Sequence, residues 1–173
     1  MHTVILIFLW LAATLYAAIL FWSIISVIRH DCKVIKRDDG TPYLIRYRVF
    51  GCKWFKIRVH HILQSDYDCL HDHPWSFVSV ILKGGYWEKT TKRQFDASLC
   101  KWYDNIFKKW YGPGSILYRP AKWRHSLELP RCDSGVKSCW TFVIMFRRTR
   151  EWGFWTSKGF VHWSKYNSNQ KCD

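Results

Sequence analysis

The stretch LHDHPW at residues 70–75 carries two histidines separated by a single residue. Successive side chains of a β-strand point to opposite faces, so His71 and His73 share one face if this segment is extended. Two imidazoles on one face can chelate a single metal ion. An isolated pair of this kind is more often solvated or hydrogen-bonded, so the pair alone leaves both interpretations open.

A second segment, GSILYRPAKWRH at residues 114–125, contains a third histidine of interest. A glycine turn at Gly114 starts a short strand, Pro120 ends it, and His125 opens the next strand. The segment therefore predicts two consecutive strands, the second of which begins on a histidine.

Together the two segments resemble the motifs of the cupin superfamily. The first motif is G-x5-H-x-H-x3–4-E-x6-G, and the second is G-x5-P-x-G-x2-H-x3-N. The matching residues are His71, His73, Gly84 or Gly85, Gly114, Pro120 and His125. The motif positions that differ are occupied by Ser65, by Phe77 or Val78 in place of the metal-binding glutamate, by Lys122 and by Leu129.

This resemblance implies an all-β fold, a small double-stranded β-helix (jelly-roll) with a metal ion inside the barrel. It implies ligation by His71, His73 and His125, a set similar to that of cysteine-dioxygenase-like cupins, which use Fe(II) and dioxygen. Fe(II) is the first candidate for the divalent metal ion, and neutral imidazoles also suit zinc, nickel and copper. Two alternatives stay open: a non-catalytic cupin that binds a small molecule or an anionic partner, and a metal-dependent isomerase or hydrolase.

Two further side chains are candidates for catalytic roles in such an enzyme. Glu88 follows the glycine turn at residues 84–85 and can re-enter the cavity as an acid or base. Tyr118 lies near the end of its strand and can line the cavity mouth. Glu128, three residues after His125, is expected to point away from the metal ion.

Several other residues have a plain structural interpretation. Arg46 and Arg58 could bind a substrate carboxylate if they faced inward, but outward-facing surface positions are favoured. Cys69 shares the strand face of His71 and is expected to be a small buried apolar residue rather than a ligand. The aromatic segment at residues 151–163 is expected to close the core.

The remainder of the chain predicts many short strands separated by Gly, Pro and Asp turns, which is typical of a sandwich or barrel. The stretch Gln94–Lys109 is the least regular and could hold a helical turn. The candidate strands are Tyr43–Phe50, Lys53–His60, Trp75–Leu82, Tyr86–Thr91, Ser115–Tyr118, Arg124–Leu129 and Ser138–Phe146, with shorter ones at 153–156 and 160–163.

The N-terminus carries a long apolar segment. Residues 1–28 contain no Lys, Arg, Asp or Glu, and the 25 residues from Val4 to Ile28 are almost entirely apolar. As a helix this run would be about 37 Å long, enough to cross a ~30 Å hydrocarbon layer. It is too long for a cleaved signal peptide. The sequence thus predicts a single transmembrane anchor at 1–28, a basic linker at 29–42 and a cupin-like β-barrel domain at 43–173.

The charge and cysteine content predict the surroundings of the domain. The 27 Lys+Arg and 13 Asp+Glu give a net charge of +14, all of it beyond the anchor. Because the basic flank follows the apolar segment, the C-terminal domain is expected on the cytoplasmic side, near anionic lipid. Nucleic acid is disfavoured, since no recognised binding motif is present. The 7 cysteines, an odd number without CxxC spacing, predict neither a zinc ribbon nor a disulfide framework.

Overall fold

β-branched and aromatic side chains dominate the runs between the glycine and proline turns, and these runs form β-strands. The computed structural model describes residues 6–7, 9–19, 31–96, 98–133, 135–167 and 172. A 3-10 turn, Trp163–Lys165, follows the last strand. The strands are β1 Cys32–Lys36, β2 Pro42–Gly51, β3 Phe55–Ile62, β4 Leu70–His71, β5 Phe77–Lys83, β6 Tyr86–Asp96, β7 Lys101–Tyr111, β8 Ile116–Arg119, β9 His125–Glu128, β10 Arg131–Cys132, β11 Gly135–Val136, β12 Cys139–Phe146, β13 Gly153–Thr156 and β14 Gly159–His162.

Two antiparallel sheets enclose one core. The first has six strands in the order β1-β2-β3-β12-β5-β8, the second has six in the order β14-β13-β4-β9-β6-β7, and β10 and β11 form a small separate pair. The two sheets share an apolar cluster that lies between them, made of Leu44, Ile62, Ile81, Tyr86, Leu117, Leu129 and Cys139. The all-β prediction is confirmed, and two sheets around one core form the expected jelly-roll.

The least regular part of the sequence is in fact a long hairpin. β6 and β7 pair without interruption from Tyr86 opposite Tyr111 to Asp96 opposite Lys101. The prediction of an irregular stretch at Gln94–Lys109 was therefore wrong. Residues 92–95 and 104–110 are exposed, so neither face of the outer hairpin is buried. The alternation of polar and apolar residues that marks a half-buried strand is missing for that reason.

The structure describes only part of the predicted anchor. Residues 6–7 and 9–19 are helical, and their side chains are exposed. No helix among the described residues is long and apolar enough to cross a membrane. The other residues of the predicted anchor, 1–5, 8 and 20–28, lie outside the described residues.

The predicted linker at 29–42 contains a strand. β1 pairs with β2 from Cys32 opposite Tyr47 to Lys36 opposite Pro42. The first sheet therefore begins at Cys32, eleven residues before the boundary that composition suggested. A charged edge strand resembles a linker in composition because its side chains are mostly exposed.

A disulfide bond joins Cys69 to Cys172, 103 residues apart in the sequence. The backbone of Cys172 also forms a bridge to Thr156 in β13. The cysteine content argued only against a disulfide framework, and this single bond was not predicted, because one long-range pair leaves no recognisable spacing. The bond ties the C-terminal segment to the chain just before β4, and Cys69 is neither a thiol nor a metal ligand.

Candidate metal centre

The register of the second sheet brings the candidate histidines together. The two-residue strand β4 lies between β13 and β9, and His71 is directly opposite His125 of β9. His73 continues this segment, and its backbone N–H donates to the carbonyl of Ala121 at 3.1 Å. Strand pairing therefore places three histidines from distant parts of the sequence at one point of the barrel.

The three imidazoles converge. One ring nitrogen from each of His71, His73 and His125 lies within 4.8 Å of the other two. The Nε2 atoms of His73 and His125 are 2.8 Å apart. Two nitrogen ligands at ~2.0–2.1 Å from one ion can lie about 3 Å from each other, so the observed separation fits a shared metal ion. These three nitrogens could therefore hold one divalent metal ion.

Burial favours the neutral, metal-binding form of these imidazoles. His71 and His125 are only 9% and 4% exposed. Burial lowers the pKa of His71 to about 4, although the Asp66 carboxylate opposes this shift. Burial, reinforced by His71 and His125, also lowers the pKa of His73 well below its ordinary value. A metal ion binds only the unprotonated nitrogen, so the cluster is ready for ligation at neutral pH.

Glu88 supports the cluster from behind His125. Its buried carboxylate accepts hydrogen bonds from His125 Nδ1 at 2.7 Å, from Arg119 Nε at 2.8 Å and from Trp123 Nε1 at 3.2 Å. Burial raises the pKa of Glu88, but the hydrogen bonds from His125 and Arg119 outweigh it and lower the pKa to about 2. Glu88 is therefore a carboxylate at all ordinary pH values.

This contact fixes the orientation and tautomer of His125. A proton on Nδ1 is donated to the carboxylate, which leaves the Nε2 lone pair directed at the cluster. A catalytic acid or base needs a pKa near the working pH and access to the substrate. The pKa of Glu88 is far below neutral pH, and its oxygens are already hydrogen-bonded to His125, Arg119 and Trp123. The structure thus replaces the predicted catalytic role of Glu88 with a positioning role.

Tyr118 does not line the cavity. On β8 its neighbours Leu117 and Arg119 are buried, whereas Tyr118 is 59% exposed. The strand alternation points its side chain to the outer face, which corrects the prediction of a catalytic or cavity-mouth role. Glu128 behaves as expected and pairs on the surface with Lys89 and Lys108.

Asp72, between the two ligand histidines, anchors the segment that covers the site. It is 1% exposed and accepts hydrogen bonds from Arg150 Nη1 at 2.5 Å and from the backbone N–H of Gly153 at 3.0 Å. Asp72 was not among the residues predicted from the sequence. Its position between two inward histidines could have identified it. Because side chains alternate along a strand, Asp72 points away from the histidine cluster, where a buried carboxylate needs another partner.

Aromatic side chains wall the cluster. Trp152 stacks on His73 with 6.4 Å between ring centroids, Phe154 lies 5.6 Å from His71, and Phe77 packs edge-on against His73 at 4.9 Å. The aromatic segment at 151–163 thus does more than close the core, because two of its rings contact the ligand histidines. These rings give the cluster an apolar border.

Comparison with known proteins identifies similarity in structure and not in sequence. The sequence matches no protein-family model and no curated protein. A cupin-2 domain protein from Rhodospirillum rubrum matches with a TM-score of 0.54 and 12% identity, over 75% of this chain and 77% of that chain.

Two other solved structures match more weakly. The Fe(II) form of HppE with an alternative substrate has a TM-score of 0.48 and 14% identity over 68% of this chain, which spans only 57% of that enzyme. The polyketide cyclase RemF from Streptomyces resistomycificus has a TM-score of 0.47 and 17% identity, over 70% of this chain and 79% of that chain. The fold similarity therefore rests on the cupin-2 domain protein, and at 12% identity it establishes the fold alone.

Proposed function

This chain has the fold of the cupin superfamily, and on that basis we propose that it is a metalloprotein that binds a small-molecule substrate at a three-histidine site. The observation that carries the proposal is the convergence of His71, His73 and His125, with Glu88 holding His125. Buried polar groups normally have partners, and one metal ion would satisfy all three inward nitrogens at once.

Fe(II) is the first candidate for the ion, and the proposed activity is that of a dioxygenase-like enzyme. The donor set supports this choice, since three neutral imidazoles without a carboxylate suit Fe(II), although they also suit zinc, nickel and copper. An ion held by only three protein ligands keeps open positions at which it can polarise a substrate or, if redox-active, activate dioxygen.

The protein's own contribution is to position the three histidines and to border them with apolar side chains. Arg119 and Trp123 hold the Glu88 carboxylate, which in turn holds the His125 ring. Trp152 and Phe77 pack against the ring of His73. Side chains that are already held in place lose little energy to reorganisation when a substrate binds.

The alternative is a non-catalytic cupin that binds a small molecule without a metal ion. In that case the 2.8 Å contact between His73 and His125 is a hydrogen bond. His125 carries its proton on Nδ1, so His73 Nε2 would have to donate. This alternative predicts that the histidines stabilise the fold but bind no ion.

Metal analysis of the purified full-length protein separates the two functions. After reconstitution with Fe(II) or Zn(II) and removal of excess metal, the wild type should hold one ion per chain, and His71→Ala, His73→Ala and His125→Ala should hold almost none. His61→Gln is the matched control, since His61 stacks on Trp140 at 4.0 Å outside the cluster. Equal metal content in the wild type and His125→Ala, or an empty wild type, would contradict the metalloprotein.

The proposed setting is a membrane, with residues 1–28 as a single-pass anchor. The apolar run from Val4 to Ile28 supports it. The exposure of large side chains on the described helical residues also supports it, for example Trp10 at 74% and Leu6 at 64%. Apolar side chains around a whole helix are expected where lipid or other protein surrounds it. The +14 charge of the domain would favour anionic lipid.

The proposed orientation places the folded domain on the cytoplasmic side. It rests on the basic residues that follow the anchor, Arg29, Lys33, Lys36 and Arg37. The disulfide between Cys69 and Cys172 argues for an oxidising compartment instead. A labelling experiment can decide between these two opposing arguments.

A further inference from the structure

Two basic side chains of the first sheet face the interior of the barrel. Arg46 of β2 is opposite His60 of β3, and His60 is opposite the buried Thr141 of β12. Leu44, two residues before Arg46, is opposite Ile62, two residues after His60, and both belong to the apolar core. Because alternate residues of a strand share a face, Arg46 and His60 point inward with that core.

A second arginine lies beside them. Arg58 is two positions from His60 on β3 and opposite the buried Val143 of β12. It therefore shares the inner face. The expectation that Arg46 and Arg58 face outward is corrected by this register, which could not be known before the pairing of β2, β3 and β12.

These inward groups have buried polar atoms without a partner. Nε of Arg46, Nε of Arg58 and Nε2 of His60 are buried, and none has a hydrogen-bond partner among the residues that the structure describes. Leaving a buried donor unpaired costs about 1–3 kcal/mol, and more for a charged group. Three such groups side by side are an expensive arrangement unless an acceptor binds there.

Among the described residues, little negative charge acts on this group. Burial lowers the pKa of Arg46, and the neighbouring Arg58 lowers it further. Asp31 acts favourably on Arg58, but its carboxylate is already bound by Arg48 at 2.6 Å. Two guanidinium groups that repel each other without a dedicated carboxylate would be relieved by an external anion.

The basic group lies on the His73 side of the metal centre. Phe77, which packs edge-on against His73 at 4.9 Å, is opposite Met145 of β12, and Val143, two positions before Met145, is opposite Arg58. Because alternate residues of a strand share a face, an anion held by this group would lie on the same inner sheet face as the ring that contacts His73. The planar guanidinium fork matches carboxylate and phosphate oxygens in a bidentate manner.

We infer that Arg46, Arg58 and His60 form a subsite for a small oxyanion, a carboxylate or phosphate group, inside the barrel beside the three-histidine cluster. This subsite deepens the proposed function, because it makes the substrate an anion anchored at one end and exposed to the metal site at the other. Its role as a substrate anchor rests on that function, whereas anion binding itself does not.

Thermal unfolding of the full-length protein in different anions tests the subsite. The midpoint is measured in chloride, acetate and inorganic phosphate at equal ionic strength. The wild type should show a higher midpoint in acetate, in phosphate or in both than in chloride, since a ligand that binds only the folded state stabilises it. Comparison of acetate with phosphate identifies which oxyanion binds. If the midpoint is no higher in acetate or in phosphate than in chloride, the subsite is overturned.

Variants separate the subsite from the basic surface. Arg46→Gln should abolish the anion-dependent rise, and Arg46→Lys, which keeps the charge but loses the fork, should retain a reduced one. Arg147→Gln is the matched control, because it removes the same charge from an exposed position and should keep the full rise. An equal rise in Arg46→Gln and Arg147→Gln would overturn the subsite. If Arg46→Gln does not fold, His60→Gln takes its place.

Two further readouts sharpen the test. In chloride alone, Arg46→Gln should unfold at the same temperature as the wild type or higher, because it removes an unpaired buried charge, and a clear loss of stability would indicate a structural role instead. Metal content of the same samples distinguishes the two proposals. A wild type without metal contradicts the metalloprotein and leaves the anion shift measurable, whereas metal without an anion shift contradicts only the subsite.

Discussion

The carboxylate of Glu88 and the Nδ1 atom of His125 are 2.7 Å apart, and this hydrogen bond links the three-histidine cluster to a buried carboxylate. The same carboxylate accepts hydrogen bonds from Arg119 and Trp123. A ligand histidine is normally oriented by such a partner, whose loss weakens metal binding. The site thus includes a residue outside the three histidines.

Replacing Glu88 should weaken metal binding without removing a ligand. We expect Glu88→Gln to lower the affinity for Zn(II) or Fe(II) by about 10–100-fold, because the amide lacks the charge that stabilises the His125 proton on Nδ1. Metal affinity by competition with a chelator measures this. Glu128→Gln is the control, since Glu128 bonds only surface lysines. Unchanged affinity in Glu88→Gln would remove its positioning role.

Asp72 should matter for the stability of the covering segment. We expect Asp72→Ala to lower the free energy of unfolding by about 3–5 kcal/mol, because it leaves Arg150 without its buried partner. Urea unfolding gives this value. Glu151→Ala, whose carboxylate pairs with Arg148 on the surface, should cost about 1 kcal/mol or less. Equal losses in the two variants would show that Asp72 does not anchor the segment.

Stability of the metal-free protein should fall as the pH is lowered. Burial, with Arg46 and Arg58 nearby, lowers the pKa of His60 from 6.5 to about 3. In the unfolded chain His60 therefore binds a proton below about pH 6.5, whereas in the folded chain it does not. The contribution of His60 to the free energy of unfolding is complete above about pH 6.5 and is lost progressively as the pH falls below it.

For His60 alone the loss between about pH 7 and pH 5 is about 2 kcal/mol. Urea unfolding in chloride buffer at these two values measures it, and His60→Gln should reduce the pH dependence by that amount. This range lies above the titration of the carboxylates. The same pH dependence in wild type and His60→Gln would show that His60 is protonated in the folded state.

Labelling of cysteines tests the membrane orientation. If the domain is cytoplasmic, a membrane-impermeant maleimide should fail to modify Cys32 and Cys52 in intact cells and should modify the exposed Cys32 after the membrane is opened. Positive-inside flanking charge is the reason for this expectation. Modification of Cys32 in intact cells would place the domain outside, in agreement with the Cys69–Cys172 disulfide.

The sequence predicted the parts of the fold and site that depend on local spacing. The pair His71 and His73 and the turn-flanked His125 could be identified because strand alternation and the glycine and proline turns are local features. Each strand predicted from β-branched and aromatic runs overlaps an observed strand for the same reason, although the ends differ and β1 was not predicted. The hairpin of β6 and β7 was missed, since its outer part has no buried face.

The features that sequence reasoning missed depend on long-range pairing. The inward direction of Arg46 follows only from the register of β2 with β3. The partners of Asp72 and Glu88 are at residues 150, 153, 119 and 125, which no local pattern connects. The disulfide of Cys69 joins residues 103 apart. Topology, rather than composition, determines each of these contacts.

X-ray absorption at the metal edge of the reconstituted full-length protein is the most direct test of the three-histidine centre. The account predicts three imidazole nitrogens at about 2.0–2.2 Å from one ion in the wild type, and a spectrum with one imidazole fewer, or no bound metal, in His125→Ala. A wild-type spectrum without imidazole ligands, or one identical to that of His125→Ala, would contradict it.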